Sequence, residues 1–292
     1  DDSDPLRLFN THLEGGTLTK ELALSHLKAL TKMTHYGTGS GEATIKWMWN
    51  EYDKYDDSKV DRDLLEQTIR HLVREGKEEL AWSWIEQESR RTNDSLNPGV
   101  RFIWRAATAS ALVAAKAFSA DHDNLDGALE TFFRAKSSSY SIPLSRARTN
   151  IATLLMMPRE KMVMDSTDVD IEVLRWPNTS TELWETFLES IDGEVYSDEA
   201  LSVQLSLYHP RVPNAFPYLE HCRYLAEKKA VVTRMVRKPS VIPWTRQGLH
   251  AEAVLRQQGH EQHADWLGDF VRVLYKRSKW IRKKEETEGR RW

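Results

Sequence analysis

The residues with the plainest chemistry in this chain are cations set around aromatic rings near its C-terminal end. Arg223, Lys228, Lys229, Arg234, Arg237, Lys238 and Arg246 surround Tyr224 and Trp244, and Lys276, Arg277, Lys279, Arg282, Lys283 and Lys284 surround Trp280. Ammonium and guanidinium groups neutralise phosphates, while an aromatic face stacks on a base for about 1–3 kcal/mol. The combination suits a single-stranded nucleic acid. Charge along the chain is divided in the same sense. Residues 220–292 hold 17 Lys and Arg against 9 Asp and Glu, whereas the remainder holds 24 against 35. The net charge of −3 hides a basic last quarter on an acidic body.

Other patterns suggest chemistry and then fall short of it. Gly37-Thr38-Gly39-Ser40-Gly41 has the look of a phosphate loop, whose successive N–H groups cradle an anion before a helix. It lacks the Gly-Lys-Ser/Thr ending, and no strand precedes it, so a flexible linker is expected. His260 and His263 stand three apart rather than in the His-Glu-x-x-His spacing of a zinc helix. Asp53, Asp56, Asp57, Asp61 and Asp63 crowd together without the central Gly and closing Glu of a calcium loop. Cys222 beside His221 is not a catalytic pair, because adjacent residues on a helix point different ways, and a buried inert thiol is expected. With no nucleophile elbow and no matched carboxylates, neither catalysis nor a cofactor is expected.

The elements that would carry these residues are helices. Leu64, Leu65, Ile69, Leu72 and Val73 fall on one helical face; Gly76 interrupts; Leu80, Ala81, Trp84 and Ile85 begin a second helix. The design returns at Leu249, Val254, Leu255, Gly259, Ala264, Trp266, Leu267, Phe270, Val271 and Leu274, with Leu four before the Gly and Ala five after it in both copies. A looser copy covers Ala111 to Phe133, with Asp123 in place of Gly and Ala128 five later. Glycine supplies a left-handed cap and alanine lets two helices approach, so each unit reads as an antiparallel hairpin. Trp47, Trp49, Trp82, Trp84, Trp104, Trp184 and Trp266 sit where a helix would bury them.

The run LVREGKEELAWSWIEQ at 72–87 resembles the middle of a pentatricopeptide repeat, and VLRQQGHEQHADWLGDFV at 254–271 is similar; tetratricopeptide hairpins share the pattern. The resemblance implies an all-α chain of hairpins stacked as a right-handed α-solenoid, irregular in the middle. It further implies a non-catalytic protein that binds single-stranded RNA, or supports an RNA-processing or translation assembly, in the mitochondrial matrix. The alternative is a tetratricopeptide-like scaffold receiving a partner helix or peptide, which the acidic N-terminal three quarters favours.

Irregular composition near 158–178 divides the chain into a helical half at 1–157 and a second at 179–292 that ends in the basic segment. A single cysteine excludes a disulfide scaffold and fits a reducing, intracellular compartment. No apolar run approaches the roughly 18 residues of a membrane span, so no membrane insertion is expected.

Overall fold

A computed structural model describes residues 5–32, 39–51, 61–90, 98–119, 123–157, 175–191, 199–237 and 241–287. Those residues form fourteen α-helices and no strand. The expectation of an all-α chain therefore holds across everything described. Contacts divide the chain into two compact units, Asp1–Thr153 and Leu154–Trp292. Of the segment read as irregular, residues 158–174 lie outside the described residues, as does the acidic run at 53–57.

The first unit contains α1 (Pro5–Glu14), α2 (Lys20–Lys32), α3 (Ser40–Glu51), α4 (Arg62–Arg74), α5 (Glu79–Arg90), α6 (Pro98–Ser119), α7 (Asp126–Ser137) and most of α8 (Ser145–Leu155). Helix α4 lies at its centre. Asp61 caps the helix by accepting from Leu64 N, and Leu64, Leu65, Thr68, Ile69, His71 and Leu72 are all buried. So wide a buried arc needs partners on several sides, and α4 packs on α2, α3 and α6. Contact with α5, the helix expected to pair with it along its length, is slight. Ala107, Ala111 and Ala115 put an Ala-rich face of α6 into the core, and small side chains there allow a close approach to α4. Helix α1 packs on α2 and α3, and α3 packs on α5 as well as α4.

Gly76 does what its position requires. It takes φ +67°, its N–H reaches Val73 O at 3.2 Å, and Lys77 N reaches Leu72 O at 2.9 Å. This pair of bonds is the Schellman cap that only a left-handed residue allows without strain. Gly259 repeats it, with φ +79° and bonds from Gly259 N to Arg256 O at 3.0 Å and from His260 N to Leu255 O at 2.9 Å.

The second unit contains the end of α8, then α9 (Thr181–Ile191), α10 (Glu199–Leu207), α11 (Phe216–Glu227), α12 (Lys229–Met235), α13 (Val241–Gln257) and α14 (Glu261–Thr287). Helices α13 and α14 form its dominant pair, and α11 packs on α12, α13 and α14. Tyr218 at the centre of α11 is fully buried, and its hydroxyl donates to Trp244 O at 2.6 Å.

Candidate nucleic-acid interface

The candidate cationic surface lies on the α13–α14 pair, and two glycines bring those helices together. A Cβ on Gly248 would lie 2.4 Å from Val271 Cγ1, and one on Gly268 would lie 2.5 Å from Glu252 Cδ. The space above Gly268 is filled by an ion pair: Glu252, nearly buried, meets Arg272 Nη2 at 2.8 Å and Arg256 Nη2 at 3.1 Å. Arg256 extends the network to Glu261 at 2.7 Å and Asp265 at 2.6 Å. These anions, Asp265 first and then Glu252, hold the Arg256 guanidinium protonated more firmly than an isolated one. The hairpin is thus fixed by close backbone approach and by a charge network that ties α13 to the first half of α14.

Register follows from these contacts. Residue 248 meets 271 and residue 252 meets 268 and 272, so Val241, where α13 begins, falls opposite Ser278 and Lys279. From Trp280 onward α14 runs past the start of its partner. Leu267, Val271, Leu274 and Ser278 mark its buried stripe. The opposite side carries Lys276, Arg277, Lys279, Lys283 and Lys284, all exposed. Trp280 projects among them at 63% exposure, with Lys284 Nζ 5.5 Å from its ring centre and Val273, at 61%, one heptad before it. Lys279 stands 5.7 Å from the ring centre of Tyr275. Arg282 turns toward the buried side and is half-covered.

The second predicted group is less uniform. Arg223 lies 5.7 Å from the ring centre of Trp266, donates to His263 Nδ1 at 3.2 Å, and pairs with Glu220 at 2.7 Å. Lys228 sits over Tyr224, whose ring is exposed at the end of α11. Lys229 and Arg234 are exposed on α12, and Arg237 is exposed just after it. Arg246 is half-buried on α13, and Lys238 lies outside the described residues. The Arg223 contact meets α14 at 263–266, about 15 Å or more along the axis from Lys276. Thus α11 touches the early turns of α14, while the denser cationic run lies farther along the same helix.

Two aromatic assignments need correction. Trp244 offers no stacking face, because at 8% exposure its ring packs 5.2 Å from Tyr218. A tryptophan in the first turns of α13 looked peripheral, yet this turn lies against the buried tyrosine of α11. Trp266, expected in the core, is 37% exposed and stacks on Phe270 at 5.4 Å. Its position falls one heptad before Val273, on the outer side of α14.

The motifs set aside in the sequence have structural roles. Where a flexible linker was expected, Ser40 and Gly41 instead open α3, and the first N–H groups of that helix cradle an anion that is the protein's own. Glu75 accepts from Gly41 N at 2.9 Å and Glu42 N at 3.2 Å. Gly41 is required there because a Cβ would lie 2.6 Å from Leu72 N. Beside it, Ser40 Oγ lies 3.2 Å from His71 Nδ1, and His71 Nε2 lies 3.1 Å from both Leu27 O and Thr31 Oγ1. Ser40 and His71 are both buried, and burial lowers the His71 pKa. His260 and His263 stack on each other, and Phe216 meets both edge-to-face. No group of three or more potential metal ligands occurs among the described residues. Cys222 is buried, which pushes its thiol pKa up and keeps it un-ionised.

No helix of the described residues is long and apolar enough to cross a membrane. In comparisons with known proteins, no family model, no curated protein and no solved structure matches the chain.

Proposed function

We propose that this chain is a non-catalytic helical-hairpin protein that binds single-stranded RNA through the outer face of the last turns of α14. The observation that carries this reading is the exposed Trp280 set among Lys276, Arg277, Lys279, Lys283 and Lys284 on a helix that outruns its partner. Cations spaced along one face follow a phosphate chain, and an open indole face accepts a base of any sequence. A duplex would offer no unstacked base to Trp280. The α11–α12 cations form a second, more weakly aromatic contact area around Tyr224.

The pairing of α1 with α2, α3 with α4 and α5 with α6, together with next-but-one packing of α2, α4 and α6, supports hairpins stacked in the manner of a helical repeat. In that frame Gly76 joins successive hairpins instead of turning within one. The pentatricopeptide resemblance supports an RNA-processing or translation assembly in mitochondria as the setting. A scaffold that receives a peptide draws its support from the acidic first three quarters of the chain.

Fluorescence anisotropy with a labelled single-stranded RNA of about 15 nucleotides tests the reading. Micromolar or tighter binding that weakens steeply with salt is expected, and double-stranded RNA of the same sequence should bind less tightly. Absence of binding at low salt, or affinity insensitive to salt, overturns it.

A further inference from the structure

The outer face of α14 has a symmetry that RNA binding does not need. Trp266, Val273 and Trp280 are exposed apolar residues at heptad spacing, so they drift only about 20° per step around the helix. Around Val273 the residues on this face are placed symmetrically, and one of the symmetric pairs is oppositely charged. Asp269 stands four before it and Arg277 four after; Phe270 stands three before and Lys276 three after; Gln262 and Lys284 stand eleven before and after. All of these but Phe270, which is half-buried, are exposed. A helix with this layout is complementary to its own reverse.

We propose that α14 pairs antiparallel with α14 of a second copy of this chain, about a two-fold axis at Val273. A two-fold interface places residue i against j and j against i. Val273 then meets its own copy, each Trp266 meets a Trp280, and each Asp269 meets an Arg277. Phe270 lies beside the Lys276 stem and ammonium, an arrangement that favours a cation over the ring. Neither Asp269 nor Arg277 has an ion-pair partner in its own chain among the described residues, so both are available to the second copy. Parallel pairing would set Lys276, Arg277 and Lys284 against themselves and is disfavoured by like-charge repulsion.

The contact runs from Gln262 to Lys284, about 33 Å of helix. A single helix pair of this length lies at the small end of stable interfaces, below about 1,200 Å² in total, so association is expected at micromolar chain concentrations. It goes beyond the RNA reading and draws on some of the same side chains. The dimer covers Trp280 and Arg277 while leaving Lys279 and Lys283 at its edge, so RNA and the second copy compete.

Disulfide trapping of the full chain tests the register, because the native Cys222 is buried and gives no background. Under mild oxidation V273C should form a covalent dimer, W280C alone should not, and W280C mixed with W266C should. Sedimentation equilibrium supplies the second measurement. Wild type should show a monomer–dimer equilibrium, D269R should weaken it at least tenfold, and the double substitution D269R/R277D should restore it. Monomeric wild type at about 100 μM, self-crosslinking of W280C as efficient as that of V273C, or no recovery in the charge-swapped pair would overturn the proposal. RNA binding by a strictly monomeric chain would sink the dimer alone and leave the RNA reading standing.

Discussion

Replacing Glu75 with Ala should destabilise the N-terminal unit by about 2–4 kcal/mol, and added phosphate should return part of the loss. The carboxylate accepts from Gly41 N at 2.9 Å and Glu42 N at 3.2 Å, and Gly41 is buried, so water cannot fully replace the lost acceptor. A hydrogen bond to a charged group is worth roughly 1.5–3 kcal/mol, which puts the gross cost near 3–6 kcal/mol. Against this, Glu75 is the C-cap residue of α4, where negative charge opposes the helix dipole. Its removal there recovers about 0.3–1 kcal/mol, and partial hydration at Glu42 recovers more. Differential scanning calorimetry should record a fall in Tm of roughly 5–15 °C for a unit of this size. Phosphate or sulfate at high millimolar concentration should raise the Tm of Glu75→Ala more than that of wild type, because the vacated α3 N-terminus accepts an oxyanion. Glu75→Gln, which keeps one acceptor oxygen, should lie between the two. A Glu75→Ala protein within about 0.5 kcal/mol of wild type, or one indifferent to phosphate, would refute the assignment of Glu75 as the resident anion.

Further consequences concern the hairpin and the separation of packing from binding residues. Gly248→Ala should cost about 1–3 kcal/mol, measured by urea unfolding, because its Cβ would lie 2.4 Å from Val271 Cγ1 in a part of the core with little slack. Burial lowers the pKa of His250 from 6.5 to about 4, so the unfolded chain takes up a proton more readily. The stability this contributes is present above pH 6.5 and is lost progressively as pH falls toward 4, up to roughly 3 kcal/mol, which a pH series of unfolding curves would read. Trp244→Ala should cost about 3–5 kcal/mol of stability, whereas Trp280→Ala should leave the melting curve within about 0.5 kcal/mol of wild type and weaken single-stranded RNA binding five- to a hundredfold.

Local backbone demands were the most legible part of the sequence. Gly76 and Gly259 announce left-handed caps because no other residue holds that φ at low cost, and the apolar spacing of α4 is unambiguous. A third cap of the same kind closes α1, where Gly16 takes φ +63° and Thr17 N reaches His12 O at 3.0 Å. Its signal was present in Gly15-Gly16, although the short α1 buries only Phe9. Partner choice was less legible. The short link at Gly76 suggested that α4 would lie along α5, yet α4 packs chiefly on α6, whose alanines allow a close approach. The tryptophans show the same limit. Trp244 and Trp280 have similar cationic surroundings in sequence, and only the buried Tyr218 on α11 separates a core residue from an exposed one. Glu75 could not be assigned to the Gly37–Gly41 loop from spacing, because 34 residues separate it from Gly41.

The salt dependence of RNA binding by charge-neutralised α14 tests the central claim most directly. In wild type, log K should fall linearly with log salt, with a slope of about −0.7 for each phosphate contacted on a single strand. The triple substitution Lys276→Gln, Lys279→Gln, Lys283→Gln should shallow that slope by about 2 and weaken binding at low salt at least tenfold. Lys229→Gln with Arg234→Gln should change the slope by less. An unchanged slope in the α14 variant, or an equal loss from the α12 variant, would contradict the placement of the interface on the outer face of α14.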